Sequence, residues 1–188
     1  MALPDFTDLA TVKAWFSPPL TSATDDVLLA RLITAESAFM RSWLNRDISQ
    51  ATYTDTLDGP GRAVVILPQY PVTAVSAVAI DGEPLPQQPA GQPLAYGWDF
   101  DDTAVFLIGA IFPRGRRRVT VTWTAGYPDT PADIAQACVE LVALRYRERD
   151  RIGLVSKAMG GETTAFVQRD MPASVATILS QYKRVSPW

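Results

Sequence analysis

The most conspicuous group of side chains with chemical potential is an aspartate cluster made of Asp99, Asp101 and Asp102. Clustered carboxylates bind divalent cations and also serve in general acid–base catalysis. The segment around them, residues 98–102 (WDFDD), lacks the glycine and the distal glutamate of an EF-hand calcium loop. A solvated loop before a strand explains the cluster, with a carboxylate-dependent hydrolase as the enzymatic alternative. We therefore predict neither a metal site nor a catalytic site at these residues.

The absence of histidine and the presence of a single cysteine further restrict the nucleophilic and metal chemistry that the chain could perform. The chain contains no histidine, which excludes Ser-His-Asp and Cys-His arrangements and histidine-ligated zinc. Its one cysteine, Cys138, forms no intrachain disulfide and no thiolate cluster. Cys138 lies on the apolar face of a predicted helix, where a small buried hydrophobic side chain is expected. The sequence thus predicts no enzyme and no cofactor.

Positive charge is concentrated first between residues 114 and 118. The arginines of this run are Arg114, Arg116, Arg117 and Arg118. They suit a phosphate-contacting patch, or a strand edge that is kept soluble by charge. We retain both interpretations, as a contact with DNA or with another subunit.

A second arginine group ends a predicted helix. Arg145 and Arg149 fall on one side of that helix, whereas Arg147 and Arg151 fall on nearly the opposite side. The acidic residues between them favour a solvated, salt-bridged helix end. The alternative is a split contact, in which one side meets a neighbouring chain and the other meets nucleic acid.

The C-terminal segment combines an amphipathic helix with an aromatic end. Pro172 opens the predicted helix, whose apolar stripe includes Tyr182. Lys183 and Arg184 follow, and Trp188 is the last residue. An aromatic residue and two cations suit docking, so we expect Tyr182, Lys183, Arg184 and Trp188 to bind an acidic partner. Gly160-Gly161 upstream would let this segment reposition, and we expect it to be poorly ordered or folded back in the free protein. The alternative is a helix that completes the bundle and frays at its end.

The elements that position these residues occur in the order helices, strands, helices. A short helix is expected from a Thr7 cap to Phe16, and a longer one begins near Thr24 with Asp25 and Asp26 in its first turn. The period then changes to two. Residues 53–67 predict a hairpin, and further strands are expected over 72–80, 104–108 and 119–124. Helical periodicity returns after Pro131.

The predicted fold is α+β: a small helical bundle with an antiparallel β subdomain inserted between the second and third helices. Each flanking helix carries a single apolar stripe, so these helices must share one bundle. The expected boundaries are residues 1–50 and 128–188 for the bundle with its C-terminal arm, and 51–127 for the insertion. The chain has 188 residues and a formal net charge of -3, which argues against a dedicated nucleic-acid binder. No apolar run approaches the ~20 residues of a membrane span, so no membrane partner is expected.

The order and spacing of several segments resemble the head-tail connector proteins of tailed bacteriophages, also called adaptor or head-completion proteins. The matching segments are residues 9–13 (LATVK), 25–29 (DDVLL), 43–47 (WLNRD), 67–72 (LPQYPV), 78–82 (VAIDG), 119–127 (VTVTWTAGY) and 131–134 (PADI). The resemblance covers nearly the whole chain and is loose only over residues 83–111.

The resemblance implies a non-enzymatic structural protein of the virion, located at the head-tail junction after assembly in the host cytoplasm. It implies a ring, typically dodecameric, below the portal, which joins the DNA-filled head to the tail and extends the DNA channel. The implied partners are the portal protein, a tail or stopper protein, other copies of the chain, and passing double-stranded DNA without sequence specificity. The alternative within the same setting is another virion completion or tail-side interaction protein.

Overall fold

The computed structural model describes residues 4–89, 96–149 and 171–184 with their side chains, and residues 156–159 and 162–165 as backbone. It separates into two compact units, one formed by Met1–Arg46 with Thr130–Trp188 and the other by Asp47–Asp129. The first is helical and the second consists of antiparallel sheets. The predicted α+β fold, with strands inserted between the second and third helices, is confirmed.

The helical unit contains four helices among the described residues: α1 (Leu9–Trp15), α2 (Asp26–Leu44), α3 (Ala132–Glu148) and α4 (Ala173–Tyr182). α3 packs against each of the other three. Their apolar stripes meet in a buried core that includes Val12, Leu29, Ile33, Met40, Leu44, Ile134, Leu141, Val175 and Leu179. The helices on either side of the strands therefore share one bundle, as their single stripes predict. None of the described helices has the length and apolar character required to cross a membrane.

The first helix is capped one residue later than the sequence predicts. Asp8, not Thr7, is the N-cap: its Oδ1 accepts a hydrogen bond of 2.8 Å from the backbone N of Thr11. This bond holds the pKa of the Asp8 carboxyl below its ordinary value. Aspartate and threonine both cap helices well, so the sequence alone did not distinguish two adjacent candidates.

The β unit is built from two antiparallel sheets. One has the order β1-β7-β3-β4 and the other β2-β6-β5. The strands are β1 (Ala51–Gly59), β2 (Val64–Ile66), β3 (Val72–Ile80), β4 (Glu83–Pro84), β5 (Gly97–Phe100), β6 (Ala104–Ile108) and β7 (Gly115–Ala125). Side chains from both sheets form one core, which includes Val65, Leu67, Val78, Trp98, Val105, Phe112, Val121 and Trp123.

The hairpin predicted over residues 53–67 is wrong. β1 pairs with β7, and β2 pairs with β6 in the other sheet. Three threonine pairs span β1 and β7 with hydroxyl–hydroxyl distances of 3.1–3.3 Å, among them Thr54–Thr122. These cross-strand partners are distant in sequence, so the short turn that favoured a hairpin carried no information about them.

One more two-stranded sheet lies between α3 and α4. β8 (Ser156–Met159) pairs antiparallel with β9 (Glu162–Ala165), and Met159 is opposite Glu162. The sequence analysis expected only a flexible segment around Gly160-Gly161, and these two residues lie outside the described part of the chain. A two-residue Gly-Gly connection between short strands is a recognised hairpin signal, which the low apolar content of these strands obscured.

The close passage of β1 past residue 113 generates a stability prediction. A Cβ placed on Gly59 would lie 1.8 Å from the carbonyl oxygen of Pro113, so Gly59→Ala must displace backbone. We expect it to lower the free energy of unfolding by more than about 2 kcal/mol. Gly82→Ala is the matched control: its φ is +90° but its Cβ would meet nothing within 4 Å, and we expect a loss of about 1 kcal/mol. Urea denaturation measures both; equal losses would contradict the steric explanation.

Candidate functional site

The residues expected to dock a partner at the C-terminus contact the helical unit itself. The Tyr182 hydroxyl donates to the Asp133 carboxylate at 2.8 and 3.0 Å. The Lys183 ammonium lies 4.6 Å from the centroid of the Trp43 ring, a cation–π distance. The backbone N of Arg184 donates to the Leu44 carbonyl at 3.0 Å. The structure thus gathers Tyr182, Lys183 and Arg184 at the end of α4.

These contacts place the end of α4 beside the C-terminal end of α2. The Leu44 carbonyl is among the last of α2 and has no partner inside its own helix. A bond from Arg184 satisfies it, and nearby cations suit the negative end of the helix dipole. α4 packs in the bundle, which agrees both with the alternative interpretation and with a docking segment that is folded back in the free protein. Docking of a partner by these residues stays a prediction, and Trp188 lies outside the described residues.

The arginine run lies at the start of β7, and its side chains are either ion-paired or exposed to solvent. Arg118 forms an ion pair with Asp81, with a 2.8 Å hydrogen bond from Nε to Oδ1. That bond holds the pKa of the Asp81 carboxyl below its ordinary value. Arg117 has a left-handed backbone, φ 52°, and its backbone N donates to Asp58 at 2.7 Å. The side chains of Arg114, Arg116 and Arg117 are exposed.

Arg62 joins this group, and the sequence analysis missed it. The backbone N of Phe112 donates to the Arg62 carbonyl at 2.9 Å, and the position of a Cβ on Gly61 would be 3.4 Å from Cβ of Arg114. Arg62 is 52 positions before Arg114 in the sequence. The pairing of β2 with β6 and of Gly59 with Gly115 brings the two segments together, and no local motif signals these pairings.

The arginines of α3 mostly serve the helical unit. Arg145 pairs with Glu36 at 3.4 Å, and Arg149 lies 3.8 Å from Asp25. Arg147 is exposed, with its guanidinium 5.5 Å from the centroid of the Phe16 ring. Arg145 and Arg149 therefore act as a salt-bridged helix end. A contact by Arg147 with a subunit or DNA stays a prediction, and Arg151 lies outside the described residues.

The aspartate cluster shapes a turn. Asp101 Oδ1 accepts from the backbone N of Thr103 at 2.8 Å and from that of Ala104 at 2.7 Å. These bonds, that to Thr103 first, hold the pKa of the Asp101 carboxyl below its ordinary value. Asp101 and Asp102 lie in a loop before β6, as predicted, whereas Asp99 belongs to β5, a strand that the sequence did not predict. Among the residues that the structure describes, no group of three or more acidic or cysteine side chains could hold a metal ion.

Cys138 is fully buried on α3, with Sγ 3.6 Å from the Ser37 hydroxyl. Burial raises the pKa of the thiol from 9.0 to about 11. The thiol consequently remains protonated and unreactive at neutral pH, because the thiolate is the nucleophilic form.

Glu36 generates a prediction about pH. Burial is the main cause that raises the pKa of its carboxyl above 4.5, and the nearby Arg145 opposes it. A raised folded-state pKa contributes stability below 4.5 that is lost as pH rises through the folded value. The free energy of unfolding of the wild type, minus that of Glu36→Gln, should therefore decrease as pH rises from 4.5.

Urea denaturation of both proteins over a pH series measures this difference. Arg145→Met provides the comparison, because loss of the cation should raise the Glu36 pKa further and extend the decrease to higher pH. If the difference in the free energy of unfolding between the wild type and Glu36→Gln does not change with pH, the Glu36 carboxyl does not have a raised pKa.

The Tyr182–Asp133 contact generates a second prediction. Tyr182→Phe removes a hydrogen bond to a carboxylate and should lower the free energy of unfolding by about 1–2 kcal/mol. This change in the free energy of unfolding is measured by following the helical circular dichroism signal during urea denaturation. Tyr96→Phe is the control, because that side chain is 54% exposed. An unchanged Tyr182→Phe midpoint would mean that the end of α4 does not help to hold the bundle.

Comparison with known proteins identifies the family. The family model of the head completion proteins matches residues 5–185. A chain in the neck of the native gene transfer agent (GTA) particle, computed with C12 symmetry, superposes with a TM-score of 0.55 at 22% identity over 100% of this chain and 98% of that one. A chain in the neck of the empty GTA particle, computed with C6 symmetry, gives 0.54 at 21% over 90% and 83%. One in the virion of the native GTA particle gives 0.52 at 22% over 89% and 82%.

No curated protein sequence matches the chain significantly. The structural matches establish a shared fold, and the family match covers almost the entire sequence. The resemblance expected from the sequence is thereby confirmed. The chain belongs to the head completion protein family.

Proposed function

We propose that this protein forms a ring, with twelve copies as the expected number, below the portal of a DNA-filled head. The ring joins the head to the tail and extends the DNA channel. The observation that carries the proposal is the family match over residues 5–185. The likeness to a neck chain in a particle computed with C12 symmetry supports the ring and its copy number.

The C-terminal segment is the proposed contact with the portal. Lys183 and Arg184 lie at the end of α2, a defined place on the helical unit. Two cations followed by an aromatic side chain suit an acidic surface, because Trp and Arg often dominate protein interfaces. In this proposal Tyr182 and Lys183 position the segment through Asp133 and Trp43, while Arg184 and Trp188 reach the portal.

In this proposal double-stranded DNA passes through the ring without being bound by it. The formal net charge is -3 and the sequence pI about 4.9, so copies around a channel would repel the phosphates of double-stranded DNA. Repulsion lets the duplex slide. It also agrees with a non-enzymatic role, which the family and the shared neck fold support. The partner on the other side of the ring is a tail or stopper protein.

Deletion of residues 185–188 tests the portal contact. The truncated protein should unfold at nearly the same temperature as the full chain, because it keeps the contacts that Tyr182, Lys183 and Arg184 make with the helical unit. It should fail to join DNA-filled heads, measured as protein recovered with purified heads. Trp188→Ala should reproduce much of this loss. Trp15→Ala is the matched control, since that indole is 48% exposed on α1 and should join heads normally.

Normal incorporation of the truncated protein would overturn the docking role. The ring is tested separately by image averaging of particles that contain the protein. A single copy per vertex would overturn the ring.

A further inference from the structure

The basic side chains of the β unit are concentrated at one of its ends. All basic residues of Asp47–Asp129 lie at one end: Arg62, Arg114, Arg116, Arg117 and Arg118. Two observations bring them together. Gly59 pairs with Gly115 at the start of β7, and the backbone N of Phe112 donates to the Arg62 carbonyl. We call these five residues the arginine end.

The opposite end carries the aspartate turn, residues 99–102. Val72 pairs with Ala125 at the far end of β7, and its backbone N donates to the Asp102 carbonyl at 2.8 Å. Asp99, Asp101 and Asp102 are all exposed. Arg116 is nine positions before Ala125 along β7, which is about 30 Å of extended strand.

Each end also exposes one isoleucine. Ile111 is 61% exposed and directly precedes Phe112, whose backbone N binds the Arg62 carbonyl at the arginine end. Ile66 is 59% exposed and lies beside the aspartate turn, because the backbone N of Leu67 donates to the Thr103 carbonyl at 2.9 Å. An apolar side chain with charged neighbours resembles the centre and rim of a protein interface.

We propose that the arginine end of one copy receives the aspartate turn of the next copy. Arg114, Arg116 and Arg117 face Asp99 and Asp102 across this contact, and Ile111 and Ile66 lie within it. The inference rests on the proposed function, since it supplies the contact that a ring requires. Two different, complementary patches on one unit make a head-to-tail interface, and such an interface forms a ring when the rotation from copy to copy closes on itself.

A second copy fits the arginine end better than DNA does. Asp81 already neutralises Arg118, and Asp58 lies against Arg117. In the unit as a whole, carboxylates outnumber arginines: Asp47, Asp55, Asp58, Asp81, Glu83, Asp99, Asp101, Asp102 and Asp129. A duplex would meet an overall repulsive field, whereas a small acidic turn matches the few arginines that remain exposed.

Charge reversal in both ends tests the contact. The first variant is R116E/R117E and the second is D99K/D102K; Asp101 is left unchanged because its carboxylate shapes the turn. Association of the purified chains at low ionic strength is measured by sedimentation velocity, and copies per particle by image averaging. Each variant alone should associate at least about tenfold more weakly than the wild type, because like charges then face each other.

Two combinations should restore association to within about threefold of the wild type. One carries all four substitutions in a single chain. The other is an equimolar mixture of the two variants, in which copies alternate around the ring and every contact pairs opposite charges. Arg31→Glu on α2 and Asp55→Lys in the middle of β1 are the matched controls; both residues are exposed, and neither reversal should change association.

A cysteine pair gives a measurement that does not depend on charge. In D102C/R116C, a short bismaleimide should link copies into a ladder that extends beyond the dimer, whereas either cysteine alone should not. The buried Cys138 does not interfere.

The remaining outcomes overturn the proposal in distinguishable ways. If the wild type forms rings but the combined variants are not restored, the contact is wrong and the ring stands. If R116E/R117E assembles normally but retains less of a short DNA duplex on a filter, the arginine end is a DNA contact instead. If the wild type forms no ring, alone or in particles, the proposed function fails and the contact fails with it.

Discussion

The pairing of β7 with β1 on one side and β3 on the other is the constraint on which the β unit depends. Val119, Val121 and Trp123 point into the core, while threonines alternate with them on the other face. A strand that is bonded along both edges cannot slide by one residue without exposing this apolar set. Its two ends are therefore fixed points of the structure.

Both charged ends of the unit follow from this fixed strand. The arginine run begins β7, so it is held at one end, where Arg118 reaches Asp81 just beyond β3. The last residue of β7, Ala125, pairs with Val72, which in turn bonds to the aspartate turn. The register of β7 thus determines where the arginines and the aspartate turn lie in the unit, which the amino-acid composition alone does not reveal.

α3 has the corresponding role in the helical unit. It packs against α1, α2 and α4, and its buried face contains Ala137, Cys138, Leu141 and Val142. Its polar margin is occupied by contacts with its neighbours, including Arg145 with Glu36. Because these side chains have partners inside the unit, the arginine count of the sequence overstates the positive charge that this helix presents.

The sequence predicted what depends on local periodicity. Val72–Ile80 and Ala104–Ile108 have the predicted bounds, and the helices lie where the apolar stripes placed them. The sequence did not predict contacts that join distant segments. β1 pairs with β7 instead of β2, and Arg62 bonds to Phe112, two residues before Arg114. Cross-strand register leaves no trace in the spacing of one strand, so neither the sheet order nor the clustering at the arginine end could be derived from it.

The bond from Arg184 to the Leu44 carbonyl has a mechanical consequence. Leu44 ends α2 and is three positions before Asp47, where the β unit begins. A displacement of Arg184 therefore breaks a bond to the last residue of α2 as well as disturbing α4. One backbone bond thus couples the end of α4 to the last turn of α2.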